Sequence, residues 1–491
     1  MNFGRPMAEE EHELNPEICV IGAGAGGLAA AAAAAIMGVP VVLIERGRMG
    51  GQSLYGGSVP ARALQAAAEH ANAVRAGANF GVKSARSGID FAGVNAHMRR
   101  AIEAIALQDS PERFKGLGVR VIAGTARFKD PRTVTVGAIS VRARHFIIAT
   151  GSLPIIPQIP GLAEAPHLTP ETVFDLTDCP RHLLVLGAGR SGLELAQSFR
   201  RLGAEVTVFE AETPLRREDR ECAEIVLDAL GDEGIKLRNG VQIAQVRRVL
   251  GRIQIVIAKP AKPDAAGVAG EEVIEGSHIL IAAGRRPNID ELELDAAGIR
   301  YDQARIVVDR RLRTTNKNVY AIGDVTGGPK YANAASQHAG LVVRNVLFGQ
   351  STGVDSRTIP RVIFTDPELA QVGLLEDEAR ARARDIRILR WPYRENDRAV
   401  SAGAVNGHIK VITDSGGDIL GATIVGAQAG ETIATWALAI GQKLNIAALS
   451  GLVVPYPSYG EVGKRAAITY FMRGLTNTRV RRIMGWLRRR G

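Results

Sequence analysis

Short apolar runs alternate along this chain with longer stretches in which small and apolar residues recur at helical spacing. The first run, Cys19-Val20-Ile21, enters a glycine-rich turn and an alanine-rich segment, and a second run, Val41-Val42-Leu43-Ile44, follows. Unbroken apolar runs of this length, bounded by turns, predict strands buried on both faces, so the segment reads strand–helix–strand in a parallel sheet. The same texture restarts at Leu183-Leu184-Val185-Leu186. Between the two, residues 72–113 are mainly helical in pattern. Residues 119–141 read as short strands, with Thr133-Val134-Thr135-Val136 alternating. Residues 258–264, with Pro260 and Pro263, predict a loop between strand-like runs. Beyond about residue 357, strands followed by helices predict a separate α+β domain. Residues 26–44 are almost wholly apolar and about long enough to span a bilayer. Gly38 and Pro40 interrupt them, which predicts a helix and a buried strand, not a membrane span.

A chain of 491 residues is too long for one ordinary core, so two to four domains are expected. The composition, 46% hydrophobic and 23% charged, is that of a globular protein and excludes a disordered chain. The net charge of +10 admits nucleic acid, an anionic membrane or anionic cofactors, so its placement must decide. The three cysteines, Cys19, Cys179 and Cys222, have neither metal-site nor disulfide-framework spacing, so no metal site is expected. Isolated thiols, and a start containing Glu9, Glu10, Glu11 and Glu13 in place of a basic secretory leader, predict a cytoplasmic protein.

The first glycine-rich turn is Gly22-Ala23-Gly24-Ala25-Gly26-Gly27, in which Gly22, Gly24 and Gly27 match GxGxxG. The first glycine permits the tight turn, the second lets backbone approach a pyrophosphate, and the third lets helix and strand pack closely. The helix N-terminus then holds the phosphates through free N–H groups and its positive dipole. Glu45 ends the second strand, where an acid accepts from ribose hydroxyls. The second turn, Gly187-Ala188-Gly189-Arg190-Ser191-Gly192, repeats the fingerprint, and the next strand ends in Glu210. An acid there favours NADH over NADPH. Arg216 and Arg217, a few residues on, can blunt that preference, so NADPH stays an alternative. Two fingerprints imply two dinucleotides, and hydride transfer from nicotinamide to flavin is the simplest chemistry that joins them.

Further motifs give the chain a resemblance to the pyridine nucleotide-disulfide oxidoreductases, most closely the mercuric reductase and dihydrolipoamide dehydrogenase branch. Ala149-Thr150-Gly151 with Pro154 resembles the ATG segment that closes the first FAD half. Gly284-Arg285-Arg286-Pro287-Asn288 resembles the GRxPN return from the nucleotide domain. Thr315-Asn316 through Val319-Tyr320-Ala321-Ile322-Gly323-Asp324 is similar to the second FAD motif, whose aspartate contacts the ribityl chain, and Phe364-Thr365-Asp366-Pro367-Glu368 resembles the opening of the dimerisation domain. The resemblance implies an α/β fold of two Rossmann-like dinucleotide-binding domains plus a C-terminal α+β dimerisation domain, in a homodimer. The expected order is a mobile tail over 1–15, FAD-binding parts over 16–155 and 284–356, the NAD(P)H-binding domain over 156–283, the dimerisation domain over 357–470 and a basic tail over 471–491. It implies FAD contacts from Gly22, Gly24, Gly27, Glu45, Gly51, Gln52, Ala126, Thr150, Gly151, Arg286, Gly323, Asp324 and Ala332. NAD(P)H contacts are implied for Gly187, Gly189, Ser191, Gly192, Glu194, Glu210 and Gly284.

One departure is informative. The family's redox motif, GG-x-C-x-x-x-x-C-x-P, is here Gly50-Gly51-Gln52-Ser53-Leu54-Tyr55-Gly56-Gly57-Ser58-Val59-Pro60, so Ser53 and Ser58 stand at both cysteine positions. A hydroxyl forms no disulfide and does not attack one as a thiolate does. Nor does any neighbouring base mark Ser53 as a hydrolytic nucleophile; hydroxyls filling thiol-sized space are the simpler reading. At the C-terminal His-Pro segment the chain has Pro455-Tyr456-Pro457, followed by Glu461. Tyr456 is a poor acid–base group near neutrality, although mercuric reductases also carry tyrosine in this segment. Glu461 matches the family acid or serves as a cap or pair at the dimer surface. Arg62 and Glu194 correspond to a lysine–glutamate pair near flavin N5 and are expected to pair beside the nicotinamide's approach path; two unrelated surface charges are the alternative.

The last residues carry Arg473, Arg479, Arg481, Arg482, Arg488, Arg489 and Arg490, with Val480, Ile483, Met484 and Leu487 on one helical face and Trp486 nearby. An interfacial helix at the inner face of an anionic membrane and a helix packed on the dimer or an unordered tail both fit. No recognition module accompanies the arginines, so nucleic acid is not an expected partner. Three functions follow. The first is an FAD-dependent NAD(P)H oxidoreductase passing electrons directly to a small acceptor such as a quinone. The second is a redox-silent flavin-binding scaffold or docking protein. The third is a dithiol or mercuric reductase using Cys19, Cys179 or Cys222.

Overall fold

The computed structural model describes residues 13–83, 88–258, 271–383 and 385–475, and it divides into two compact units. The first comprises residues up to 157, residues 168–178 and residues 283–354; the second comprises 158–167, 179–282 and the chain from 355 onward. The basic tail beyond residue 475 and most of the loop expected at 258–264 lie outside the described residues.

The first unit is built on a five-stranded parallel sheet. Its strand order is Val319–Ala321, His145–Ile148, Ile18–Ile21, Val41–Glu45 and Val119–Ala123. Every residue of Ile18–Ile21 is buried, as is every residue of Val41–Glu45 except the last, because helices and a second sheet layer cover both faces. Residues 26–44 divide as their glycine and proline predict, into the helix Ala25–Ile36 and the strand Val41–Glu45. That helix is nearly all alanine and glycine, which lets it pack closely against the helix Ala332–Phe348: a Cβ added at Gly26 would lie 3.2 Å from the Ala335 methyl. Burying each Ile, Val or Leu of this core contributes roughly 1.5–3 kcal/mol. A four-stranded layer orders as Glu13–Leu14, Ile139–Arg142, Thr133–Val136 and Arg127–Asp130. Glu13 and Leu14, placed in the tail by sequence, therefore form a strand parallel to Ser140 and Val141, and Leu14 is buried. Its leucine fills the core, a role that two residues beside a polar run do not advertise.

The second unit repeats the parallel arrangement, with strand order Lys236–Asn239, Glu205–Glu210, His182–Leu186 and His278–Ile281. A three-stranded antiparallel sheet of Ile243–Val249, Arg252–Ala258 and Glu271–Gly276 is inserted before the last of these. The C-terminal part is a five-stranded antiparallel sheet ordered Arg361–Ile363, Glu368–Gly373, Ile419–Gly426, His408–Asp414 and Ile386–Pro392. The helices Ala429–Gly441 and Gly460–Leu475 follow, and Trp436, Val462 and Ala466 are buried in the same core cluster as strand residues Ile409, Val411 and Ile424. No described helix is long and apolar enough to cross a membrane.

Candidate functional site

Two cradles, one in each unit, carry most of the predicted residues. In the first, Gly22 has φ +101°, a value that side chains seldom adopt, and its amide donates to Ile44 O at 2.8 Å. A Cβ at Gly27 would lie 1.8 Å from Gly22 O, so only glycine lets helix Ala25–Ile36 start this close to the strand. At Gly24 the same construction meets nothing within 4 Å. The side of the turn that faces a pyrophosphate in a dinucleotide fold is open. No side chain caps the helix, so its first amides stay available to an anion. Glu45 turns back onto the turn, accepting from Ala23 N at 2.6 Å and from Gly47 N at 2.8 Å. Gly51, with φ +58°, packs with its Cβ position 2.8 Å from Gly24 Cα, and Gln52 follows it in the helix Gly51–Tyr55.

The remaining predicted FAD residues fall in the same unit. Thr150 and Gly151 follow the strand His145–Ile148, beside the central one, and the turn closes tightly: a Cβ at Gly22 would meet Ala149 O at 2.6 Å. Asn288 Nδ2 donates to Thr150 O at 3.1 Å, and its amide donates to Gly151 O at 3.1 Å. Thr150 Oγ1 and His338 Nε2 are buried without a hydrogen-bond partner among the described residues. Buried hydroxyls and ring nitrogens rarely go unpaired, so an orphan at this turn fits a polar group supplied by a bound cofactor. Gly323 and Asp324 open the turn after strand Val319–Ala321, and Asp324 Oδ2 accepts from Ser152 Oγ at 2.6 Å. His338 Nδ1 accepts from Gly323 N at 3.2 Å, and burial holds its ring below the usual histidine pKa. Ala332 begins the helix Ala332–Phe348, and Ala126 is buried just before strand Arg127–Asp130. Arg286 lies in strand Arg285–Pro287 and is paired to Asp290 at 2.7 Å. Gly284 also belongs to this unit, at φ +123°.

The second cradle reproduces the first feature by feature. Gly187 has φ +107°, Gly189 meets nothing within 4 Å, and a Cβ at Gly192 would lie 2.0 Å from Gly187 O. Glu210 accepts from Ala188 N at 2.8 Å and from Glu212 N at 3.1 Å, as Glu45 does in its own turn. Ser191 lies in the first turn of the uncapped helix Arg190–Arg201. Glu194, one turn further, accepts from Phe364 N at 3.0 Å. Arg216 pairs with Glu212.

The predicted catalytic positions are spread more widely. Ser53 sits within helix Gly51–Tyr55 and Ser58 begins helix Ser58–Ala76, exposed, with the break at Gly56-Gly57 between them. Tyr55, between the two serines, lies under the Arg48 guanidinium at 3.8 Å. Arg62 donates to Gln65 Oε1. Arg62 and Glu194 belong to different units. Tyr456 is 71% exposed and its hydroxyl donates to Asp397 Oδ2 at 2.6 Å; that hydrogen bond, with the carboxylate's charge, pushes the phenol up and further from acid–base use. Glu461 lies in the first turn of helix Gly460–Leu475.

Burial works against the thiolate at all three cysteines, although Cys222 Sγ lies 3.6 Å from His408 Nε2. Cys19 is fully buried in the central strand and Cys222 in helix Arg220–Asp232; burial pushes both thiols far up, aided at Cys222 by the Asp219 and Glu221 charges. Cys179 is half-buried, its thiol also raised by burial and directed at Leu202 O, 3.6 Å away. Among the described residues no cluster of three or more His, Cys, Asp or Glu could hold a metal ion.

Sequence reading missed Ser152, Arg285, Glu171 and His338, which surround Asp324 and its turn; only Arg285 stood inside a quoted motif.

Comparison with known proteins is consistent along most of the chain. The model of the pyridine nucleotide-disulphide oxidoreductase family matches residues 16–339, and that of the family's dimerisation domain matches residues 359–467. The mercuric reductase of Streptomyces lividans is 33% identical over 462 residues, 92% of this chain and 96% of its own length. The dihydrolipoyl dehydrogenase of Thermus scotoductus is 34% identical over 455 residues, 91% of this chain and 95% of its own. Two solved structures, each at 25% identity, 93% coverage of this chain and 99% of their own, superpose well. The Cu(II) complex of the HOCl-induced flavoprotein disulfide reductase RclA of Escherichia coli gives a TM-score of 0.81, and LpdA of Mycobacterium tuberculosis gives 0.82.

Proposed function

Because the chain belongs to the pyridine nucleotide-disulphide oxidoreductase family, whose members use FAD and NAD(P)H, we propose that it oxidises NAD(P)H and passes the electrons to a small acceptor with no thiol relay. A quinone is the best candidate acceptor, because a flavin reduces one directly. The observation that carries this reading is the run Gly50–Pro60, in which serines stand at both relay positions, together with the burial of Cys19 and Cys222 and the half-burial of Cys179.

FAD supplies the redox chemistry when bound, accepting hydride from nicotinamide and releasing electrons to the acceptor. The chain's own part is binding and orientation. Gly24 and the first amides of helix Ala25–Ile36 would hold the FAD pyrophosphate, Glu45 the ribose, Thr150 a polar group near the closing turn, and Asp324 the ribityl hydroxyls. Gly189, Ser191 and Glu210 would hold the nicotinamide nucleotide, with NADH preferred by the Glu210 carboxylate. Tyr456, committed to Asp397, and Glu461 are given no proton-transfer step. The protein would act as a homodimer through its C-terminal domain, in the cytoplasm, with the basic tail available to a membrane surface.

The relatives' names favour a second reading, reduction of mercuric ion or of a dithiol substrate, for which the thiols at positions 19, 179 and 222 are the only ones in the chain. The burial of Cys19 and Cys222 and the half-burial of Cys179 argue against it, since the thiolate is the reactive form. Anaerobic mixing of the holoprotein with NADH, followed by quinones, a lipoyl disulfide and mercuric ion, separates the readings. Rapid flavin bleaching and reoxidation by quinone alone support the proposal. Turnover of mercuric ion or disulfide that disappears on replacing one cysteine contradicts it, and a flavin that never bleaches indicates a binding scaffold.

A further inference from the structure

Residues 168–178 belong to the first unit, although the residues on both sides of them belong to the second. Buried Asn95 fastens the segment, its Nδ2 donating to Phe174 O at 3.2 Å and to Leu176 O at 2.9 Å. The segment delivers Glu171 to a defined place. On one side Gly56 packs against it so closely that an added Cβ would lie 3.0 Å from Glu171 Cα. On the other, Glu171 Oε1 accepts from Arg285 Nη2 at 2.6 Å, an ion pair whose side chains are only 32% and 17% exposed.

Arg285 does more than balance that charge. Its Nη2 also donates to Ser152 O at 2.6 Å, and its Nε donates to Ser152 Oγ at 2.8 Å. Its own carbonyl is held by Lys330. A guanidinium can only donate, so the Ser152 hydroxyl must accept from it and direct its single proton elsewhere. That proton points to Asp324 Oδ2, 2.6 Å away. The hydroxyl's direction is therefore set by Arg285, and Arg285 by Glu171.

We infer that Arg285, held by Glu171, is a positioning residue for the flavin: it commits the Ser152 hydroxyl to one oxygen of Asp324 and leaves the other oxygen for the ribityl chain. The same relay ties Asp324 to the Gly56-Gly57 break that separates the two serines at the lost relay positions. The inference rests on the reading of Asp324 as a flavin contact. A lysine at 285 could not serve, since it lacks the planar fork that meets Ser152 O, Ser152 Oγ and Glu171 together.

The test uses the full-length holoprotein and its S152A, R285Q, R285K, E171Q and S152A/R285Q variants. FAD dissociation constants, the visible flavin spectrum and thermal unfolding are measured on each. Loss of a hydrogen bond to a charged group predicts that S152A and R285Q each weaken FAD about tenfold. The double variant should be no weaker than the worse single, because both act along one line. R285K should resemble R285Q, E171Q should fall between it and wild type, and the flavin spectrum should shift in R285Q. Multiplying losses in the double variant, or full FAD affinity and an unchanged spectrum in folded R285Q, overturn the inference. Should R285Q not fold, S152A and E171Q decide in its place: unaltered FAD affinity in both overturns it. Wild-type protein that takes up no FAD sinks the reading of Asp324 beneath it.

Discussion

The second and third glycines of the nucleotide cradle in the second unit should respond oppositely to the same added methyl. At Gly192 a Cβ would lie 2.0 Å from Gly187 O and 3.2 Å from Gly187 C, both backbone atoms, against ordinary contact at 3.4–4 Å. Neither can rotate away, so helix and strand must part by more than an ångström. Overpacking of this kind costs about 1–3 kcal/mol. At Gly189 nothing lies within 4 Å, so Gly189→Ala should leave packing intact, with the loss of a glycine N-cap costing at most about 1 kcal/mol. Its methyl would instead occupy the space a pyrophosphate needs. G192A should therefore unfold at a temperature several degrees lower, whereas G189A should stay within about 1 kcal/mol of wild-type stability, keep its FAD content and lose NADH affinity by at least about tenfold. Thermal unfolding and isothermal titration with NADH read both. A G189A protein that binds NADH as wild type does, or a G192A protein of undiminished stability, refutes the assignment of those two glycine roles.

Three other outcomes follow from the same geometry. Thr150→Val should raise the stability of the flavin-free protein slightly, by removing a buried unpaired hydroxyl, while weakening FAD about three- to tenfold; equal FAD affinity would show that Oγ1 faces no ligand. The thiols, raised by burial, should resist iodoacetamide in the native protein near neutral pH, and C19S, C179S and C222S should each retain turnover; mass spectrometry and steady-state rates check this. Glu221, hydrogen-bonded by Arg390 at 2.8 Å, has its carboxyl lowered from 4.5 to about 2. Its contribution to stability is thus complete above about pH 4.5 and lost as pH falls towards about 2, so urea denaturation of E221Q should depend less steeply on pH in that window than wild type.

The parts of the site that were legible in sequence are those governed by local spacing. Each GxGxxG turn lies within a few residues of its strand and helix, and Glu45 and Glu210 follow at the end of the next strand, so periodicity and turn chemistry sufficed. In the structure each turn leads from its strand into its helix, and Glu45 and Glu210 end the strands that follow. What stayed illegible joins residues far apart in the chain. Glu171 meets Arg285 across 114 positions, Asn95 holds Phe174 and Leu176 across 79 and 81, and Lys410 meets Asp219 across 191. Such partners carry no period and no fixed offset, and single charged residues between secondary elements look alike in sequence. The strand Glu13–Leu14 escaped notice for a related reason. It is two residues long, and its position depends wholly on pairing with Ser140 and Val141.

The most direct test of electron flow without a relay is an anaerobic reductive titration of the FAD-loaded protein, counting electrons taken up per flavin. A flavin and a disulfide are each two-electron couples, so a relay-bearing reductase accepts about four electrons and this chain should accept about two. A full second equivalent, consumed with release of titratable thiols, would contradict the account.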